Sequence, residues 1–345
     1  MSSKPADATF LYKVIEGFFI PIRGLKMDEI KIIEIIKNTL KFSNENIVKG
    51  IGDDCAVIKL DNNFCLVATT DMMIKKTHIP SILTPYEIGG RVLTANVSDI
   101  ASMGAKPLAF LLSISLSKEE ANENFIKELY SGLNDFSKLY NCPVVGGDTN
   151  KGDELILSGT AFGITKNPIY RKGEVGDDIC VTNDLGRVYC ALFLYYKLKY
   201  NKISYKEFEK FCQKYPKIIE KLRKPIARVK EGLLMNNFIN GCCDISDGLG
   251  KEITYFKNFE IYSDKIFKLI PEDVIEFCEE FNLNPIEVVL NSGEEFELLF
   301  TTSKFNKVKD VVKNHSKIYK IGKIIEEGQF IDGEEFYGGG YIHKW

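Results

Sequence analysis

Five short acidic clusters, most of them beside glycine or a small hydroxyl residue, are spread along most of this 345-residue chain. They are Gly52-Asp53-Asp54, Thr69-Thr70-Asp71, Ser98-Asp99, Gly146-Gly147-Asp148-Thr149 and Asp244-Ile245-Ser246-Asp247-Gly248. Hard divalent cations take oxygen ligands, and magnesium is held by a few carboxylates together with substrate phosphates. One such cluster is ordinary turn chemistry. Asp99 alone reads equally as an exposed helix residue, Asp148 as an Asx-turn, and Asp244 with Asp247 around Ser246 as a helix N-cap. Five together, drawn from both halves of the chain, point to a fold that gathers them around several metal ions and a polyphosphate.

Composition narrows the class. The net charge of -3 gives no basic footprint, which argues against nucleic acid as a partner. The nine cysteines form no C-x-x-C pair. They are expected to be reduced thiols of a cytoplasmic protein, most of them core filler. His78, His315 and His343 are too few and too scattered for a histidine-rich zinc site. Residues 8–22 are apolar but broken by Lys13, Glu16 and Pro21, too short and interrupted for a membrane span. Residues 1–26 read as an N-terminal extension or leader ahead of the core fold.

The periodicity predicts a helix over 28–41, then strands Cys55–Leu60 and Phe64–Thr70 joined by Asp61-Asn62-Asn63. A helix from Tyr86 to Met103, a strand Leu108–Leu116 and a helix Lys118–Tyr140 follow. Next come a short strand Pro143–Val145 delivering Gly146-Gly147-Asp148, and a strand Glu154–Ile164. This order is α+β rather than strict β-α repetition. The polar run Arg171–Gly176 is the expected domain boundary, with an N-terminal domain over 27–170 and an α/β domain over 171–345. Beyond it the pattern predicts a strand Asp178–Thr182, helices near 186–199, 205–214 and 226–237, and another opened by Asp244–Gly248. A strand Phe296–Thr302 and strand-like residues 317–326 complete it.

The usual phosphate-binding loops are missing: no G-x-x-x-x-G-K-[ST] and no G-x-G-x-x-G opening a helix after a strand. Bridging cations held by carboxylates are the natural substitute. Gly293-Glu294-Glu295 reads either as a loop at a strand start or as a recognition site for a cationic ligand. Arg171 reads as a solvated charge or a phosphate clamp. Tyr341 and Trp345 either pack the terminus or offer aromatic faces to an organic cation.

In this order, these pieces resemble the thiamine-monophosphate kinases, of the superfamily that includes aminoimidazole ribonucleotide synthetase. The resemblance rests on Gly52–Val57, Thr69–Asp71, Ala95–Ala105, Gly147–Thr149, Asp244–Leu249, Gly293–Leu298 and the closing Gly340-Tyr341-Ile342-His343. It spans about Met27 to His343. It implies a two-domain α/β protein whose N-terminal domains pair into a dimer with a shared β-barrel, beside a C-terminal α/β sandwich. It implies phosphorylation of thiamine monophosphate by ATP with several magnesium ions. Carried over by motif, Asp53, Thr69, Thr70, Asp71, Asp99, Asp148, Asp244 and Asp247 are expected metal ligands. Tyr130, Gly147, Asp148, Arg171 and Ser246 are expected nucleotide contacts. His78, one of the pair Glu294 and Glu295, and Tyr341 are expected substrate contacts.

The acceptor so implied is a phosphate monoester with a second pKa near 6, largely dianionic at pH 7 and so already a nucleophile. No covalent or general-base residue is expected, and transfer is expected to be direct. Two scaffold relatives fit less well. A selenophosphate synthetase needs a reactive cysteine or selenocysteine with a lysine near its start, and a hydrogenase-maturation protein needs a C-terminal cysteine. An aminoimidazole ribonucleotide synthetase or a non-catalytic magnesium-nucleotide sensor is the alternative reading.

Overall fold

The computed structural model describes residues 28–61 and 63–343. The proposed leader over 1–26, together with Trp345, lies outside them. Two sheets organise the rest. The first has the order β1-β2-β3-β6-β4-β5, from strands β1 (Ile47–Lys49), β2 (Ala56–Lys59), β3 (Cys65–Ile74), β4 (Lys106–Leu116), β5 (Val144–Lys151) and β6 (Ile156–Thr165). All neighbours are antiparallel except β4 and β5, which are parallel. The second has the order β13-β12-β9-β11-β7-β10-β8, built from β7 (Asp178–Thr182), β8 (Gly241–Asp244), β9 (Phe259–Ile261), β10 (Leu298–Thr302), β11 (Ile318–Ile324), β12 (Gln329–Ile331) and β13 (Glu334–Glu335). The mixed α+β class expected from the sequence is the one observed.

Local chemistry explains the elements nearest the site. In the β2–β3 turn, the Asp61 carboxylate accepts from the backbone N–H of Asn63 and Phe64, an Asx-turn. The helix Pro85–Ser102 starts on a capping box: Thr84 accepts from Glu87 N–H while Glu87 accepts from Thr84 N–H, and Pro85 opens the first turn. Helix Glu123–Tyr140 is capped by Asn122 and ends on Asn141 in the left-handed region, φ 50°. The two helices cross closely because both carry glycine at the contact. A Cβ on Gly132 would lie 1.9 Å from the Tyr86 carbonyl, and one on Gly89 2.0 Å from that of Leu129.

Two strands run further than the sequence predicts. β3 continues past Thr70 to Ile74, so Asp71 sits inside a strand rather than at its end. β5 runs from Val144 to Lys151, so Gly146-Gly147-Asp148 is strand and not the loop after one. Short polar runs lack the apolar alternation that signals a strand, yet pairing with β4 extends them. The helix expected over 226–237 is Val229–Met235, and the one expected after Gly248 is the single turn Leu249–Glu252. Among the described residues no helix is long and apolar enough to cross a membrane.

Candidate functional site

Helix Pro85–Ser102 is the common support of the acidic residues. Thr69 and Asp71, two apart on β3, face the same way. The Thr69 hydroxyl donates to Asp99 Oδ2 at 2.5 Å, and Asp71 N–H donates to Asn96 Oδ1 at 3.0 Å. Ser98 Oγ donates to Asp244 Oδ2 and Ser102 Oγ to Asp54 Oδ2, each at 2.6 Å. Carboxylate oxygens of Asp54, Asp99 and Asp244 thereby lie within 4.8 Å of one another. Asp244 is 1% exposed, and its Oδ1 is buried with no hydrogen-bond partner.

The electrostatics follow from that crowding. Burial, then the neighbouring acids Asp71, Asp244 and Asp54, push Asp99 well above the usual carboxylate range. Burial and Asp54 do the same to Asp244. Asp71 is raised to about 6, by burial first and then by Asp247, Asp54 and Glu294. At Asp54 burial outweighs the Arg171 guanidinium, which grips it through Nε, at 2.7 Å, and Nη2. Buried like charges are unfavourable unless a cation joins them. An unpartnered buried oxygen beside two more carboxylates is the donor set of a hard divalent cation.

Asp53 turns away from this trio. Its Oδ1 accepts from the backbone N–H of Arg171 at 3.2 Å, and its Oδ2 pairs with Lys49 Nζ at 3.3 Å. Thr70 donates its hydroxyl to the Gly159 carbonyl on β6. Asp247 pairs with Lys251 at 2.6 Å, and Ser246 Oγ donates to the fully buried Glu252 at 3.2 Å. Arg171 also stacks over the Tyr255 ring, 3.9 Å from its centroid.

The acidic cluster opens into a cavity of about 590 Å³, whose other end is lined by His78, Glu294, Tyr341 and His343. Glu294 adopts φ 54°, and its carboxylate meets Arg91 Nη2 at 2.6 Å. Arg91 is 1% exposed and also donates to the Leu222 carbonyl. Tyr341 N–H donates to the Asp247 carbonyl. The His343 ring bridges Tyr341 and His78, with centroids 4.7 and 5.5 Å away. His78 Nδ1 accepts from Ile74 N–H, and burial lowers its pKa.

Glu295 points elsewhere: fully buried, it accepts at Oε1 from Ser292 Oγ and from the N–H groups of Gly186 and Val188, at the start of helix Arg187–Lys199. Four other expected residues lie outside the cavity lining, the buried Asp244 and three on other elements. Tyr130 is on helix Glu123–Tyr140, 37% exposed. Gly147 and Asp148 are on the edge strand β5, where Asp148 bonds Thr149 N–H and Asn150. Strand register puts Asp71, Gly159, Leu112 and Gly147 in one row across β3, β6, β4 and β5. Three inter-strand spacings, roughly 14 Å, therefore separate Asp71 from the row's end.

The sequence reading missed Asp54 and Arg91. Asp54 was signalled only as the second member of Gly-Asp-Asp, with nothing local to rank it against Asp53. Arg91 was signalled as the one basic residue of an 18-residue helix otherwise rich in apolar and small side chains.

Comparison with known proteins supports one lineage. The family described as AIR synthase related protein, N-terminal domain, matches residues 52–165. The thiamine-monophosphate kinase of Methanocaldococcus jannaschii is 88% identical over 319 residues, covering 92% of this chain and 100% of that protein. That of Pyrococcus abyssi is 37% identical over 306 residues, covering 84% and 92%. Among solved structures, AaThiL complexed with AMPPCP and TMP superposes with a TM-score of 0.78 at 28% identity, covering 94% of this chain and 99% of that one. Identity of this extent, along essentially the full length of a relative, shows that the chain belongs to the thiamine-monophosphate kinase family.

Proposed function

We propose that this protein transfers the γ-phosphoryl group of ATP to thiamine monophosphate, giving thiamine diphosphate and ADP. The observation that carries the reading is a single cavity with an acidic, cation-demanding end and an end lined by a carboxylate and aromatic rings. Phosphates gather at the first; the positively charged organic ring sits at the second. The relatives' activity and the nucleotide analogue and TMP held by AaThiL support it.

The donor set fits a hard divalent cation, because the Asp244 Oδ1 oxygen is buried and unpartnered. Asp54, Asp99 and Asp244, with Asp71 and Asp247 at the rim, would hold magnesium; Asp53, Thr69, Thr70 and Asp148 are the other expected ligands. When bound, such ions screen the repulsion between two anionic phosphates and the charge of phosphoryl transfer. The chain's own part is positional. Thr69, Asn96, Ser98 and Ser102 fix the acids, and Arg171 and Ser246, with Tyr130 and Gly147, are the proposed nucleotide contacts. His78, Glu294 and Tyr341 hold the acceptor so that its phosphate oxygen attacks the γ-phosphorus as the bond to ADP breaks. The acceptor is already anionic, so no proton must be removed. Glu295 serves the fold rather than the pocket.

We also infer a cytoplasmic homodimer in which a second copy covers the first sheet and closes it into a shared β-barrel. Met72, Leu108 and Val145 on that sheet are 53%, 39% and 61% exposed, a poor surface for water. A partner there would also bring the β5 segment, with Gly147 and Asp148, to a site boundary. The run at 171–176 separates the two domains in this reading.

The decisive test is ADP release from magnesium-ATP with and without thiamine monophosphate, using Asp148→Asn as the control. Release that needs the acceptor and vanishes in the variant supports the proposal. No release moves it to another acceptor or to a nucleotide-binding sensor.

A further inference from the structure

One wall of the cavity has no role in the reading above. It is a face of helix Arg187–Lys199 and its C-cap. Val188, Cys190, Ala191 and Leu194 of this helix are fully buried. Tyr189, Leu192, Tyr196 and Tyr200 follow at spacings of three to four residues and line the cavity instead, the spacing of one helix face. Tyr189 and Leu192 also pack against the core, but a helix face that borders an open cavity is ordinarily charged. Here it is mainly tyrosine.

The wall is fixed relative to Glu294. Glu295, the next residue, accepts from the first N–H groups of this helix, and Tyr189 N–H donates to Ser292 Oγ. The Tyr196 ring lies 5.3 Å from Tyr195 and stacks on Tyr200 at 6.2 Å with an interplanar angle of 17°. This ladder already attracts a cation: Lys199 Nζ lies 5.7 Å from the Tyr196 centroid and 5.8 Å from that of Tyr195. Lys199 is exposed, so its ammonium exchanges easily with water or with another cation. Burial, then Tyr195 and Glu294, push the Tyr196 phenol up to about 12, so it stays neutral.

We infer that Tyr196 and its helix face bind the positively charged organic ring of the acceptor and so set acceptor specificity, with Glu294 supplying the opposing charge. This deepens the kinase reading and rests on it. Aromatic faces attract desolvated organic cations more strongly than exposed ones, and a ring entering the cavity loses more water than the Lys199 tip does.

Steady-state kinetics on the full-length protein test it, with KM measured separately for thiamine monophosphate and ATP. Tyr196→Leu keeps apolar bulk and removes the π face. It should raise the acceptor KM at least tenfold, leaving the ATP KM and the melting temperature near wild type. Tyr196→Phe should restore the acceptor KM to within about threefold, since the ring face is what matters. An acceptor KM unchanged in Tyr196→Leu, with wild type active, overturns the inference and leaves the kinase reading intact. Equal rises in both KM values with a lowered melting temperature overturn it too, because a packing role does that. A wild-type protein with no acceptor-dependent ADP release fails the kinase reading itself, and the inference falls with it.

Discussion

Arg91 and Glu294, 203 positions apart, meet at 2.6 Å with the arginine 1% exposed. One comes from the helix that supports the acidic cluster and the other from the loop before β10. A buried guanidinium is stable only while its carboxylate partner and carbonyl acceptors are present. The pair therefore holds the aromatic end of the cavity in register with the acidic end.

Removing one partner exposes this dependence. Arg91→Met should destabilise the protein by about 1–3 kcal/mol, since the buried Leu222 carbonyl loses a donor while the partly exposed Glu294 is left to water, and raise the acceptor KM more than the ATP KM. Arg91→Lys should recover part of both. Denaturant unfolding and separate KM measurements check it; an Arg91→Met protein of unchanged stability contradicts the structural argument.

The buried acids predict an opposite pairing of effects. Asp244→Asn removes a charge that burial disfavours, so the cation-free variant should melt higher than cation-free wild type. Its activity should fall about a hundredfold or more, equivalent to a few kcal/mol of lost transition-state stabilisation. Asp71→Asn should likewise lose activity while remaining folded. Melting in chelator alongside ADP release measures both; a variant that is less stable and still active refutes the cluster's role.

Asp148 allows a test of the inferred dimer. Asp71→Asn and Asp148→Asn should each be inactive alone. If Asp148 serves the partner's site, mixed dimers regain one intact site, and random pairing returns about a quarter of wild-type activity. If mixing restores nothing, Asp148 does not act across subunits.

Acid stability should track Glu297. It is fully buried between Arg228 and Lys221, at 2.5 and 2.8 Å. Burial alone would raise its pKa; the two cations outweigh burial and hold it at about 2, below the ordinary 4.5. A depressed folded pKa means stabilisation that is full above about pH 4.5 and lost as pH falls toward 2. The contribution is on the order of 3 kcal/mol. Urea unfolding from pH 3 to 7 should show a flatter acid limb in Glu297→Gln, at lower stability near neutrality.

Gly132→Ala sets local preference against packing. Alanine is the better helix former by about 1 kcal/mol, but its Cβ would lie 1.9 Å from the Tyr86 carbonyl. The variant should lose roughly 1–3 kcal/mol, as overpacked contacts do. A gain in stability by thermal unfolding counts against the close crossing.

The mixed α+β order was legible in the sequence from the apolar runs of β4 and β7 and the apolar face of helix Glu123–Tyr140, and the acidic motifs marked which segments to compare. The choice between neighbours was not. Asp53 with Asp54, and Glu294 with Glu295, are adjacent acids on non-helical backbone, where successive side chains diverge. Which one faces inward depends on partners over 100 residues away, Arg171 for Asp54 and Gly186 for Glu295. β5 was undercounted for a related reason: its glycines and polar residues are strand only because β4 pairs with them. Arg91 stood out as the one basic residue of its helix, but its role was not readable because its carboxylate partner lies in the other half of the chain.

Helix Pro85–Ser102 carries Arg91, Asn96, Ser98, Asp99 and Ser102 on one rod, spanning about 17 Å from Arg91 to Ser102 at the usual helical rise. Asn96 and Asp99 both hold β3, while Arg91, Ser98 and Ser102 reach the loop before β10, β8 and the loop before β2. The rod works as a jig: a small rotation would misalign every clamp at once. Damage to its seating should therefore appear as simultaneous defects in cation, nucleotide and acceptor handling, whereas damage to a single clamp stays confined to one of them.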